Sequence, residues 1–294
     1  MSKYTVALIG QHGQVSTYLQ RAFKHEKDIR LLVLGREQLD LSRPDTVCES
    51  LEAVEFDLLI NPAAFTAVDL AEEQHEQSFA INRDAAAQLA LVCAKRKTPM
   101  IHYSTDYVFP GDATEPYVET DATGPTGIYG KSKLEGENAI FATGAQAIIL
   151  RTAWVYSNIG KNFYKTMLGL SASRNELNVV NDQVGSPTYA GSIADATLKL
   201  SLLLLEQGIR DDQFGVYHLT CQGQTHWADF AQALFKANAI GHMTVNGIPS
   251  SEYPTPAKRP EYSVLNCGKL VAQFGIALPN WKDALLDCAR EEVA

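Results

Sequence analysis

Thr5-Val6-Ala7-Leu8-Ile9-Gly10-Gln11-His12-Gly13-Gln14-Val15 decides the fold. Its apolar, partly β-branched run reaches a glycine without a polar interruption, as a parallel strand buried on both faces does. Gly10 and Gly13 then turn the chain into a helical pattern with Val15, Leu19, Ala22 and Phe23 on one face. A strand, a glycine turn and a helix start together offer unpaired backbone N–H groups and the positive end of a dipole, a seat for a pyrophosphate. Ser16 stands where a third glycine is usual, a departure from the dinucleotide pattern.

Outward from this unit the same rhythm repeats. Arg30 to Leu34 reads as a second strand, ending at Gly35-Arg36. A site for a free 2′-hydroxyl usually places an acid there. Arg36 is either an ordinary surface cation or a partner for a 2′-phosphate, which inclines the reading to NADPH over NADH. Asp40-Leu41 could edge an adenine, and Ser42-Arg43-Pro44-Asp45 reads as a serine-capped helix start. Asp57 to Ile60 is a third strand that runs into Asn61-Pro62-Ala63-Ala64-Phe65-Thr66-Ala67-Val68-Asp69, small residues beside which a cofactor could lie. A helix over Phe79 to Lys97, a strand over Pro99 to Tyr103 and another over Ala147 to Leu150 follow, with His102 read as a core histidine. Strands alternating with helices predict an α/β fold, a Rossmann-type doubly wound parallel sheet with both faces covered.

Beyond residue 156 the rhythm loosens. Helical patterns over Asn162 to Leu170, Ser192 to Leu205 and Trp227 to Ala237, a strand over Gly215 to Leu219, and the proline-rich loop from Pro249 to Pro260 suggest a smaller C-terminal substrate-binding lobe. The expected division is 1–156 for the dinucleotide domain and 157–294 mainly for the lobe, with segments near 190–220 returning to the first.

Composition narrows the class. The chain has 294 residues, 46% hydrophobic and 20% charged, enough for a large buried core. With 34 acidic against 25 basic side chains its formal charge is −9, which argues against broad nucleic-acid or anionic-membrane binding. Five scattered cysteines without a Cys-x-x-Cys, a start that runs directly into a strand and no long apolar segment suggest the cytoplasm. No cluster has metal-ligand spacing; magnesium shared between subunits would need scattered carboxylates, and a homodimer is the default assembly.

Chemistry concentrates at Tyr129-Gly130-Lys131-Ser132-Lys133. Helical spacing puts the phenol and the ammonium on one face, where Lys133 would favour the phenolate and lower the tyrosine pKa. Thr105, at the end of the fourth expected strand, would share their edge of the sheet. A hydroxyl to hold a carbonyl oxygen, a phenol to protonate it and a lysine to tune the phenol suit hydride addition to a ketone.

These segments resemble the extended short-chain dehydrogenase/reductases and, within them, the dTDP-4-dehydrorhamnose reductases. The resemblance runs through Gly10-x-x-Gly13-Gln14, Asn61 to Asp69, Ser104-Thr105-Asp106-Tyr107-Val108-Phe109-Pro110-Gly111, and Tyr129-Gly130-Lys131-Ser132-Lys133-Leu134-x-Gly136-Glu137. It continues through Arg151-Thr152-Ala153-Trp154-Val155-Tyr156, Asn181-Asp182-Gln183-x-Gly185-x-Pro187-Thr188 and Ala257-x-Arg259-Pro260. It implies NAD(P)H-dependent reduction of the C4 ketone of dTDP-4-dehydro-β-L-rhamnose (dTDP-6-deoxy-L-lyxo-4-hexulose) to dTDP-L-rhamnose. By the same resemblance Tyr129 donates the proton, Lys133 holds the nicotinamide ribose and Thr105 binds the ketone oxygen. The cofactor set is Gly10, Gly13, Gln14, Val15, Arg36, Asp40, Leu41, Ala63, Ala64 and Thr66 together with Tyr129 and Lys133. Thr105, Asp106, Trp154 and Arg259 are the substrate set, with Trp154 either against the sugar or in the core, and Arg259 either on the diphosphate or in a structural ion pair. A 4,6-dehydratase would carry glutamate where Tyr107 stands. An epimerase, a 6-deoxytalose-forming reductase and a regulatory subunit like that of methionine adenosyltransferase are the competing readings.

Overall fold

A computed structural model describes residues 2–208 and 210–291. Met1, Ile209 and residues 292–294, which the expected division includes, lie outside the described residues. Five strands of the first half, β1 (Tyr4–Ile9), β2 (Ile29–Leu34), β3 (Leu58–Asn61), β4 (Met100–Thr105) and β5 (Ala147–Thr152), form one parallel sheet. A strand from the second half joins its edge: with β6 given to Glu176–Val180, this strand, Gly215–His218, is β7. The order across the sheet is β7-β5-β4-β3-β1-β2. Strand order reverses between β1 and β3, the place where doubly wound sheets bind ligands.

The uninterrupted apolar runs follow from burial on both faces. Val6, Leu8, Leu58, Ile60, Ile101, Ile148 and Leu150 pack into one core. Their neighbours Ala7, Ile9, Leu59, Met100, Ala147 and Ile149 pack into the other. Period-two side chains thus feed two layers from one sheet. The helix α1 (Gln14–Phe23) lies in the first layer with Leu19 and Phe23 buried. The helix α2 (Ala86–Arg96) lies in the second, with Leu89, Ala90 and Cys93 buried. The helix α3 (Ile128–Ala142) leads into β5.

Further along, α4 (Phe163–Ser171), α5 (Ala190–Leu202), α6 (Trp227–Ala237) and α7 (Trp281–Arg290) contribute to the same core as α1. β6 pairs in parallel with β8 (Thr244–Ile248), a two-stranded sheet where sequence reading saw only loop from Val179 onward. Two other local expectations change. Ser42 caps no helix: its backbone and hydroxyl both bond Asp40, and the helical turn starts at Pro44 as 3-10. The helix expected from Phe79 starts at His75 and passes through a π turn, Ala80–Ala85, before α2. That turn aims the Asn82 amide inward, at the loop after β3.

Candidate active site

The glycine turn is built as the sequence suggests. Gly10 has φ +87°, and a Cβ there would lie 3.1 Å from Ala63 Cβ at the reversal of strand order. Gly13 caps α1 with no side chain bonded to the helix N–H groups and no acid in the first turn. A Cβ on Gly13 would meet nothing within 4 Å, so a ligand has room against the helix end. Ser16, buried, donates its hydroxyl to the Gly10 carbonyl and so ties the turn to its own helix. The departure from a third glycine therefore adds a bond where close packing would otherwise serve. Gln14 accepts from Ser157 Oγ and Asn162 Nδ2, both at 2.7 Å, while Val15 packs on the core.

Arg36 stands just past Gly35, whose Cβ position lies 3.0 Å from Gln11 Oε1 of the turn. It is 76% exposed and loosely paired with Asp40 at 3.4 Å, free to accept a second anion. Leu41 is a core side chain, packed with Leu39 and Val47. On the other side of the turn, Ala63 and Ala64 are half-buried and Thr66 is exposed. Their loop is clamped by Asn82, which accepts from Phe65 N at 2.8 Å and donates to Phe65 O at 3.0 Å. These residues fit a dinucleotide phosphate, with an arginine where a 2′-phosphate would need one.

Thr105 ends β4, buried, and donates to Asp106 Oδ1 at 2.9 Å. Asp106 is buried as well, and burial pushes its carboxyl up to about 6. Its Oδ2 and the Ser263 hydroxyl each lack a hydrogen-bond partner; Ser263 stands near enough to temper the rise but outside bonding geometry. With a single hydroxyl proton to give, Thr105 can donate to another acceptor only by releasing Asp106.

Tyr129, on the first turn of α3, meets Tyr107 edge to face, ring centroids 5.6 Å apart. Burial raises its pKa well above 10, with the Thr105 hydroxyl offsetting part of the rise. This reverses the expected direction: the phenol stays protonated. Burial is the cause, and Lys133 aims its nitrogen elsewhere. Only 2% exposed, it directs Nζ at the Tyr103 carbonyl, 2.6 Å, and at His102 Nε2, 3.3 Å. Burial lowers the lysine to about 8, and Glu137 opposes that shift.

A cleft of about 900 Å³ opens over this edge, with Asp69, Tyr107, Trp154, Phe163, Trp227 and Arg259 in its wall. Trp154 has a left-handed backbone, φ +47°, and stacks on Trp227 with centroids 3.5 Å apart and planes 7° from parallel. A Cβ at Gly185 would fall 2.4 Å from the Trp154 ring, which explains a glycine at that position. Arg259 pairs with Asp69 at 2.7 Å through Nη2, and its Nη1 has no partner. The structural pairing and a buried, unpartnered donor thus coexist on one side chain.

Sequence reading missed Asn82, Asp69, Trp227 and His102 as parts of this assembly. Asn82 opens the polar run Asn82-Arg83-Asp84, in which nothing marks it as the inward-facing member. Asp69 and Trp227 were visible only as members of a loop motif and a helix start. Among the described residues no group of three or more His, Cys, Asp or Glu stands close enough to hold a metal ion, and no helix is long and apolar enough to cross a membrane.

Known proteins share this architecture over nearly the whole chain. The profile of the RmlD substrate binding domain family matches residues 4–293. The chain is 43% identical over 282 residues to a dTDP-4-dehydrorhamnose reductase of Sinorhizobium fredii, covering 95% of this chain and 94% of that one. It is 40% identical over 284 residues to the enzyme of that name in Escherichia coli K12, 94% of each chain. A crystal structure of a dTDP-4-dehydrorhamnose reductase from Bacillus anthracis in complex with NADP superposes with a TM-score of 0.90 at 30% identity, covering 97% of this chain and 98% of the other.

Proposed function

The chain belongs to the RmlD substrate binding domain family, and from that premise we propose that it catalyses the NAD(P)H-dependent reduction of the C4 ketone of dTDP-4-dehydro-β-L-rhamnose to dTDP-L-rhamnose. The observation that carries this reading is a half-buried phenol, its pKa raised by burial, beside a threonine hydroxyl at the edge of the sheet that bears the glycine turn. NADPH, when bound, supplies the hydride for the sugar C4.

Every other part belongs to the chain. The α1 N-terminus and Gly13 receive the pyrophosphate, Arg36 the 2′-phosphate, and the Asn82-clamped loop with Ala63 and Ala64 lies beside the nicotinamide end. Tyr129 delivers its proton to O4 as negative charge develops there, and its high pKa keeps that proton in place until then. Thr105 holds the same oxygen. Trp154, stacked on Trp227, offers a flat apolar wall to the deoxysugar, and the Arg259 guanidinium, in the cleft wall, takes a diphosphate oxygen. Tyr107 packs against Tyr129 where a dehydratase would carry its glutamate, so reduction is favoured over water elimination. The setting is the cytoplasm, in keeping with five free cysteines, and the assembly a homodimer.

Purified protein given NADPH and the 4-keto sugar nucleotide should consume absorbance at the reduced-nicotinamide band, with dTDP-L-rhamnose identified by NMR. A 6-deoxytalose product would reassign the face of attack. No oxidation of NADPH would remove the enzymatic reading altogether and leave a regulatory one.

A further inference from the structure

Beneath Lys133 runs a line of buried polar groups that the mechanism above does not use. Asn61, at the end of β3 and 1% exposed, accepts from Ala63 N through Oδ1 at 3.2 Å. Its Nδ2 lies 3.1 Å from His102 Nδ1, and His102 Nε2 lies 3.3 Å from Lys133 Nζ. Lys133 in turn donates to the Tyr103 carbonyl.

The directions of these bonds are fixed from one end. A backbone N–H can only donate, so the Ala63 amide settles which end of the Asn61 side chain is oxygen. The Asn61 NH₂ then faces His102 Nδ1, which must accept. A neutral imidazole with an accepting Nδ1 carries its proton on Nε2, pointing at Lys133. An amine accepts that proton and still donates to Tyr103 O; an ammonium would meet it hydrogen to hydrogen.

We infer that Asn61 and His102 are positioning residues for Lys133: together they present an N–H to its nitrogen and favour the uncharged amine in the ligand-free protein. Burial acts in the same direction on both groups, keeping the imidazole neutral and the lysine low. The charged groups near Lys133 are few. Glu137, one turn on along α3, is the acid that draws it towards the ammonium, yet its carboxylate is held by Arg151 Nε at 3.0 Å and Nη2 at 2.6 Å and by Ser104. Asp106 is engaged with Thr105. His102 is thus the side chain left to set how readily the lysine gives up its proton. The consequence for catalysis rests on the reading of Tyr129 and Lys133 given above; the tautomer itself does not.

The direct test is ¹⁵N NMR of the histidine-labelled protein without cofactor. His102 should show a protonated Nε2 and a bare Nδ1; a protonated Nδ1 overturns the proposal whatever the activity. The second test is Asn61→Asp, which still accepts from Ala63 N but now also accepts from the ring, so the imidazole proton moves to Nδ1 and Nε2 becomes an acceptor for the ammonium. Read from the ¹³Cε shift of Lys133, its titration midpoint should rise by about one pH unit or more, tenfold in proton concentration. The lysine-linked limb of the pH profile of kcat/KM should move with it. In N61D/H102F the rise should be lost. An unmoved midpoint in N61D, or an equal rise in the double variant, overturns the role of the ring.

Discussion

Tyr129 holds its proton because burial raises the phenol while Lys133 directs its nitrogen at the Tyr103 carbonyl, so the proposed donor is a protonated phenol rather than a tuned phenolate. Tyr129→Phe should therefore keep NADPH affinity within about threefold while kcat falls by roughly 10²–10⁴, the usual worth of a positioned general acid. Fluorescence titration and turnover measured on one preparation would check it; near-normal kcat would reject Tyr129 as the donor. Arg36 invites a second comparison at this scale. Its weak, exposed pairing with Asp40 costs little to rearrange, so Arg36→Ala should lower the kcat/KM ratio for NADPH over NADH about tenfold, a charged hydrogen-bond pair's worth. An unchanged ratio would assign Arg36 to the surface. The placement of Tyr129, Lys133, Thr105 and Arg36 at strand and helix ends was legible because residue type and periodicity suffice to suggest it. The aim of Lys133 was not, because its partners, the Tyr103 carbonyl and His102, sit on β4, thirty-odd residues away in the chain.

At the level of elements, α3 is placed by two glycines that periodicity alone treats as weak points. A Cβ on Gly130 would fall 2.2 Å from the Tyr107 carbonyl oxygen, and one on Gly136 would fall 2.1 Å from the Asn82 carbonyl oxygen. Between them Ser132, fully buried, accepts from Ser78 Oγ at 3.0 Å and Asn82 Nδ2 at 2.9 Å. The helix thus docks directly on backbone at two points, and Tyr129 inherits its position from that contact. Gly130→Ala should cost about 1–3 kcal/mol by overpacking. It should also lower kcat tenfold or more, since displacements near 1 Å at a reacting group can cost roughly 10²-fold. Gly169, in α4 with nothing within 4 Å of its Cβ position, supplies the control: Ala there should be neutral or stabilising by up to about 1 kcal/mol. Equal effects on Tm and kcat at the two positions would show that docking does not position the phenol. The inner strands of the sheet were readable because burial on both faces leaves apolar runs. β6 was not, because its residues alternate between exposed and buried and its partner β8 lies more than sixty residues on. The π turn was hidden because an extra residue in a helix changes hydrogen bonding without changing composition.

Across the whole molecule, burial sets two titrations against each other. Burial and Arg151 lower His218 to about 3, so between there and its ordinary 6.5 the unfolded chain holds a proton that the folded one lacks. Its contribution to stability is complete above 6.5 and is lost as the pH falls. Asp106 behaves oppositely: raised to about 6 from 3.8 by burial, it holds a proton in the folded state that the unfolded state has released, so its contribution is present below 3.8 and is lost as the pH rises through 6. Each group shifts the slope of unfolding free energy against pH by about 1.4 kcal/mol per unit inside its window, with opposite sign. Between pH 4 and 6 the two nearly cancel. Removing either should expose the other. His218→Gln should tilt the stability curve downward with rising pH over that interval, relative to the parent, and Asp106→Asn should tilt it upward, each by roughly 2–3 kcal/mol end to end. Urea unfolding at half-unit steps would read both slopes on one plot. Lines parallel to the parent for both variants would mean that neither buried group titrates where its surroundings place it, whereas opposite tilts of similar size would identify burial beside the sheet's ligand edge as the common cause.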